Sequence, residues 1–519
     1  MTGQYYGGME PEILFKLRFL SDLTPGPDGF PLLLLTDIQE GDPPRYRSRL
    51  ALFDGALRFL TQEEAKKPRY AHPYVYFLRK VGEVQELFRL DLRGGEAERL
   101  TETPGVLDYA LGPEGEVVFL ALKEAPKPGS PRVYEGWPFK FDGRGLLPEG
   151  NVALYALEEG QQKLLLDRYP VPKEMVPSPE GLYLVMAEDK GAQAEWRDTL
   201  YLLKEGRLQK VYGGFGPIFA LEWSPEGLFF LGHAFEQGGG TEARLYHLHG
   251  GKVRVLFEGS LHNSINSDLR YGAHTQGPRW AGNGVYIVRT EEGTGRLYRV
   301  DLEGEAEALP VEGSVLSFAH TERGLFLLTE DFTHPARLLS PLGVYDPNEG
   351  VSLPLAEPIY TEWLSPEGHR VPGWVLLPEG QGPHPVILYI HGGAPHRLRA
   401  GAHAGAPALP PGGVCGGLRQ SKGVHRLRPG LRPAPGGMGG AGRAGPPGLF
   451  GPRSGPLPPG SWPRGGGGGK LRGLYGELAH RPPPWSLQSG GHRPEHRQLV
   501  QLLWGQRHRS PLHLHGAYG

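Results

Sequence analysis

WSPEGLFFLGH (223–233) carries the reading of the chain: a short polar turn ends in glycine, and an unbroken apolar run follows it. Pro pre-sets one turn dihedral and Gly tolerates the positive φ of another, so the first half is a tight turn. The run behind it has the length of a strand. The pattern recurs as LGPEGEVVFLA (111–121), PSPEGLYLVMA (177–187), WAGNGVYIV (280–288) and HTERGLFLLT (320–329). The glycines expected to close these turns are Gly115, Gly181, Gly227, Gly284 and Gly324, at intervals of 66, 46, 57 and 40 residues. Between them stand short apolar or alternating segments bounded by turn clusters: YVYFL (74–78), ELFRLDL (86–92), ALYAL (153–157), KLLLD (163–167), TLYLL (199–203) and RLYRVDL (296–302). Helical periodicity is scarce, and a short helix is expected only around 10–20. Repeats of roughly 40–50 residues with about four strands each predict an all-β propeller over 1–350, of six to eight blades with seven the central value. An array of β-sandwiches is the competing architecture.

The chain has 519 residues, enough for two or three domains. Its single cysteine, Cys415, excludes a disulfide framework and any multi-cysteine metal site. The opening MTGQYYGGMEPEILFKL has no basic-then-apolar leader pattern. No apolar run approaches the roughly 20 residues a membrane helix needs. A soluble cytoplasmic protein with no membrane partner is expected, and neither a cofactor nor a metal is implied.

A net charge of −2 conceals two unlike parts. Residues 394–519 hold 17 Lys+Arg and two acids (Glu477 and Glu495), a net +15, which leaves −17 on 1–393. The same 126 residues contain 30 Gly and 19 Pro, and no Asp, Asn or Ile. That composition lies in the disordered range. Its poverty in β-branched residues leaves little from which to build strands. Aromatic interleaving is poor and no nucleic-acid module is present, so no specific nucleic-acid partner is expected.

Between these parts lies YTEWLSPEGHRVPGWVLLPEGQGPHPVILYIHGG (360–393). It supplies two strand candidates, 371–377 and 385–390. The second is uniformly apolar, as a strand buried on both faces of a parallel sheet is. It runs into His391-Gly392-Gly393, backbone without obstructing side chains at the carboxyl end of a strand, where open α/β sheets bind ligands.

The order of propeller, WLSPEGHRVPGWVLLP and HPVILYIHGG resembles the prolyl oligopeptidase family of serine peptidases, its acylaminoacyl-peptidase branch most of all. PRVYEGWPFKFDGRG (131–145) and NSINSDLRYG (263–272) resemble propeller segments of that branch. The resemblance covers roughly 5–393 and stops. It implies a truncated start of an α/β-hydrolase domain over 351–393. It further implies that Gly393 offers an oxyanion-stabilising N–H, with His391 and Gly392 shaping the loop. The family continues with a GGSYGG nucleophile elbow and then a catalytic Asp and His. Here no Gly-x-Ser-x-Gly occurs, and Gly451-Pro-Arg-Ser454-Gly455 has the wrong spacing. The nine histidines of 394–519 have no aspartate to partner them.

A jump to Gly, Pro, Arg and Ala is what a GC-rich gene yields when read out of register. Dropping one base at the Ala394 codon turns APHRLR (394–399) into PHTAYG. The same offset turns GVCGGLRQSKGVHRLRP (from Gly413) into GFAVVFVNPRGSTGYGQ, and GGKLRGLYGELAH (from Gly468) into GGSYGGYMVNWLT. Each is a family motif, and they fall in the family's order. A frameshift after Gly393 is therefore expected, with 394–519 out of frame and disordered. The alternative is an authentic Gly/Pro/Arg-rich tail. The implied activity is hydrolysis of short peptides, absent from the chain as written because the nucleophile and its partners are missing. The competing function is a propeller that binds peptides or proteins without catalysis.

Overall fold

The computed structural model describes residues 11–390 apart from short segments, the longest being 126–139, 188–196, 260–268 and 378–385, together with residues 415–419. Among these residues lie seven successive four-stranded antiparallel sheets. Their first strands are Arg18–Pro25, Lys66–Ala71, Val106–Leu111, Glu174–Ser178, Ile218–Ser224, Arg279–Trp280 and Ser314–Thr321. Each sheet is short, and its strands bury apolar side chains on both faces, so no sheet is stable without a neighbour on either side.

The buried apolar side chains form one cluster at each junction between sheets. Leu34 and Leu52 meet Phe77 between the first and second sheets, and Phe119 meets Leu78 between the second and third. Further clusters join third to fourth, fourth to fifth, fifth to sixth and sixth to seventh. A seventh cluster brings Leu316, Phe326 and Leu328 of the last sheet against Leu20, Leu33 and Leu35 of the first. An open row of seven sheets has six junctions; the seventh closes the ring. This is the architecture of a β-propeller, and it excludes a row of separate sandwiches.

The repeated turns work as expected in four of five cases. Gly115, Gly181, Gly227 and Gly324 have φ of +89°, +142°, +114° and +115°. Gly284 does not; the positive φ of its turn falls on Gly282, at +69°. At Gly181 and Gly227 glycine answers a second need. A Cβ there would lie 2.7 Å from the Leu203 carbonyl oxygen and 2.3 Å from that of Leu248, on the adjoining strand. A hydroxyl closes several of these turns: Ser178 Oγ donates to the Gly181 carbonyl (2.9 Å) and accepts from the Glu180 N–H (3.2 Å). Ser224, Thr321 and Ser340 repeat the device. The first two sheets turn through Pro27–Gly29 and through His72-Pro73 instead, which is why the repeat shows only five times. The 66-residue interval reflects the long connection between Val117–Leu122 and Val152–Glu158 of the third sheet.

Two expectations are corrected. The helix near 10–20 is a 3-10 helix, Pro11–Lys16, and Arg18–Pro25 is already strand. Phe19 and Leu20 are consecutive and both buried, in separate apolar clusters as suits a strand covered on both faces, and its pairing with Pro31–Gln39 outweighs helix formation. The strand expected over 385–390 forms as Val386–Ile390. Cys415–Arg419 pairs with it in parallel register and with Arg370–Leu376 antiparallel, so 394–519 contributes a strand despite its composition. Backbone pairing within a sheet can override side-chain propensity. The eighth sheet thus runs Ile359–Leu364, Arg370–Leu376, Cys415–Arg419, Val386–Ile390, mixed in direction. Of the segments likened to the peptidase propeller, Leu269 is buried beside Leu17 and Phe19, and Tyr271 stacks on Tyr46 with centroids 4.1 Å apart. Residues 131–139 lie outside the described residues.

Candidate functional site

First strands of neighbouring sheets meet around the axis of the ring. Their registers are irregular. Bulges interrupt the pairing between Ser21 and Thr24, Lys66 and Arg69, Phe219 and Glu222, and Val315 and Ser317. Asp22, Lys67 and Ala220 sit in these bulges with φ of +53°, +50° and +57°. A bulge bends its strand and re-aims side chains, and such features gather where function needs particular directions.

The first strands of the second to sixth sheets carry a set of charges. Lys67 Nζ lies 2.8 Å from Asp108 Oδ1, linking the second and third sheets. Glu174 Oε2 accepts from the Leu221 N–H at 3.1 Å, linking fourth to fifth. Glu222 accepts from Arg279 Nη1 (3.1 Å) and from the Trp280 N–H (3.2 Å), linking fifth to sixth. Burial pushes the Glu222 carboxyl above its ordinary pKa, against the pull of the Arg279 guanidinium and, from the second sheet, of Arg69. Burial also raises Glu174, opposed by the N–H groups of Ala220 and Leu221. Deeper in, the Tyr109 hydroxyl donates to the Tyr76 carbonyl at 2.9 Å, and burial raises its pKa. The result is a set of fixed charges on the first strands of neighbouring sheets, held by ion pairs and backbone N–H groups.

These residues escaped sequence reasoning because each stands alone on its own strand, far from the others in the chain. A signal existed. Asp108 and Glu174 precede their turn glycines by seven positions, and Glu222 and Arg279 precede Gly227 and Gly284 by five. A charge at a fixed odd offset before a repeated turn marks one face of the innermost strand.

Among the described residues a threonine–histidine–aspartate coincidence occurs at Asp331, Thr333 and His334. Both Asp331 Oδ1 (2.9 Å) and Thr333 Oγ1 (3.0 Å) approach the same His334 nitrogen, Nδ1. A proton relay needs the acid and the hydroxyl on opposite ring nitrogens. Asp331 Oδ1 also accepts from the N–H groups of Thr333 and His334, which makes this a local turn closure. Among the described residues no group of three or more His, Cys, Asp or Glu is arranged to hold a metal. Among them, too, no helix is long and apolar enough to cross a membrane. The oxyanion-loop candidates His391, Gly392 and Gly393 lie outside the described residues; the strand leading to them is in place.

No protein-family profile matches the chain. Over 351 residues it is 26% identical to the uncharacterized peptidase YuxL of Bacillus subtilis, covering 59% of this chain and 53% of that one. The fold matches the acylaminoacyl peptidase of Pyrococcus horikoshii with a TM-score of 0.67 at 18% identity, covering 79% of this chain and 66% of that one. It also matches a puromycin-hydrolysing peptidase of Mycobacterium tuberculosis with a TM-score of 0.59 at 17% identity, covering 81% and 69%. The chain spans about half the length of the curated peptidase it matches. Ring and C-terminal sheet together resemble the fold of these propeller-bearing proteins. The resemblance to acylaminoacyl-peptidase-type proteins read from the sequence is thus matched by a likeness in fold.

Proposed function

We propose that the gene encodes a serine-type peptidase of the prolyl oligopeptidase/acylaminoacyl-peptidase type that hydrolyses short peptides in the cytoplasm, without cofactor or metal. In this reading residues 1–350 form a seven-bladed propeller, 351–393 begin an α/β-hydrolase domain, and 394–519 are translated one base out of register. The strand Cys415–Arg419 carries the proposal. It lies between Arg370–Leu376 and Val386–Ile390, parallel to the latter. Codon by codon, re-registering CGGLR gives AVVFV, the apolar composition of a strand interior to an α/β sheet. A parallel strand after a long connection is how such a sheet grows, and an antiparallel strand beside it is common in otherwise parallel sheets.

In the re-registered chain a serine occupies the Lys470 codon within the restored GGSYGG elbow. That serine attacks the peptide carbonyl, a histidine takes its proton, and an aspartate holds the histidine's tautomer. The Gly393 N–H stabilises the oxyanion, a contribution of roughly 3 kcal/mol per donor. His391 is too far upstream in the chain order of the family to serve as the base and shapes the loop. The charged axial lining admits extended peptides and excludes folded proteins. The chain as written lacks the elbow serine and is inactive.

The test has two parts. Sequencing the gene across the codons of Gly393 and Ala394 should reveal one surplus base, and a fluorophosphonate probe should label the re-registered chain and leave the present one unlabelled. An in-frame read with codons that cannot be re-registered, or a re-registered chain that never labels, refutes the peptidase. A propeller that binds peptides without catalysis is the second reading, favoured by the paired charges around the axis. It predicts peptide capture by the present chain and no labelling of either.

A further inference from the structure

Among the described residues no sheet of the ring contains strands from both ends of the chain: the first is built from residues 18–59 and the seventh from 314–345. Among the described residues the seam between them is therefore bridged through side chains. At one rim Thr321 Oγ1 donates to the Gly29 carbonyl (2.7 Å) and Arg323 Nε to that of Asp28 (2.7 Å). The Arg323 guanidinium also lies 3.9 Å over the Phe30 ring. At the opposite rim the Arg18 N–H donates to Asn348 Oδ1 (2.8 Å), and Asn348 Nδ2 donates to the Arg18 carbonyl (3.0 Å).

The second contact has a form of its own. A carboxamide presents one donor and one acceptor in a plane, the same pair that a neighbouring strand residue would offer to Arg18. Asn348 is 6% exposed, so its bonds are not exchanged readily for water. It is held in place by its own loop: the Asn348 N–H donates to Asp346 Oδ1 (2.8 Å), and the Val351 N–H donates to the Asn348 carbonyl (2.9 Å). Val351 and Leu353 then pack on the apolar cluster of Leu17 and Phe19 at the start of the ring. This loop leads directly into Ile359–Leu364, the first strand of the C-terminal sheet.

We propose that Asn348 is a clasp that stands in for a closing strand, and that it couples closure of the ring to the segment carrying the C-terminal sheet. Displacement of that segment pulls the amide from Arg18 and frees the first strand at this rim, leaving Thr321 and Arg323 as the hinge side.

Hydrogen exchange on the full chain tests this. Asn348→Ala should speed exchange of amides in 17–25 and 314–321 about ten- to a hundredfold, as expected for a buried pair of backbone groups left unbonded. The fourth sheet (174–213) should keep its protection. Asn348→Asp should lose as much, because a carboxylate cannot donate to the Arg18 carbonyl. Leu353→Ala, which leaves the amide intact and loosens the loop, should produce the same footprint more weakly. Unchanged protection at 17–25 in Asn348→Ala overturns the clasp, as does equal loosening of every sheet. Full protection in Leu353→Ala overturns the coupling. If Asn348→Ala does not fold, Thr321→Val at the other rim must expose the same two strands, and its failure to do so refutes the side-chain seam.

Discussion

Phe326→Ala tests whether the ring is truly closed. Phe326 is fully buried in the cluster that joins the seventh sheet to the first, among Leu20, Leu33, Leu316, Leu328 and Leu338. Truncation forfeits a transfer term of roughly 2 kcal/mol. A cavity term of similar size follows, since strands on both sides of the seam are fixed by their own ladders and relax little; the total is about 3–5 kcal/mol. The matched control is Phe119→Ala, equally buried at the internal junction of second and third sheets. In a closed ring both substitutions remove a wall shared by two sheets and should cost the same within about 1 kcal/mol. In an open row the seam residue would face solvent or a loose partner, and its truncation would cost little. Urea unfolding followed by tryptophan fluorescence gives both values. A cost below about 1 kcal/mol for Phe326→Ala beside a full cost for Phe119→Ala would refute ring closure.

Two further outcomes follow from the turns and the buried titrating groups. Gly227→Ala, with φ +114° and a Cβ directed 2.3 Å from the Leu248 carbonyl oxygen, should cost upwards of about 2 kcal/mol in the same unfolding assay. Gly250→Ala, with φ +55° and open space around it, should cost only about 1 kcal/mol. Burial lowers the pKa of His233 and His247 beneath the ordinary histidine value, so the unfolded chain takes up protons first and stability falls as pH drops below about 6.5. Burial raises Glu174 and Glu222 above 4.5, and their contribution is whole below that value and lost as pH rises through their folded values. Stability measured against pH should thus show an acid limb near 6 that His233→Gln with His247→Gln flattens, and an unaltered limb in that double variant would count against the assignment.

Much of the fold was legible because a propeller is a local architecture. Each turn-and-strand unit, such as WSPEGLFFLGH, pairs with sequence neighbours, so its signal lies within a few tens of residues. The five glycine turns located five sheets, and the remaining two went unmatched because TPGPDGF and AHPY make the same bend with different chemistry. The prediction for Gly284 erred by two positions because AGNG offers two glycines and either can take the positive φ. The strand Cys415–Arg419 was invisible to composition: glycine-rich sequence gives no side-chain reason to pair, and the pairing comes from backbone groups of Val386–Ile390 and Arg370–Leu376 awaiting partners.

The linear order of residues settled what depends on near neighbours: the strands, their turns, the apolar run before His391, and the compositional break after Gly393. Ring closure, the axial charges and the Asn348 clasp were decided only in three dimensions. Arg18 and Asn348 stand 330 positions apart. Asp108, Glu174, Glu222 and Arg279 lie one to a sheet. Contacts of that kind arise from the accumulated geometry of seven packed sheets, and no short window of sequence contains it.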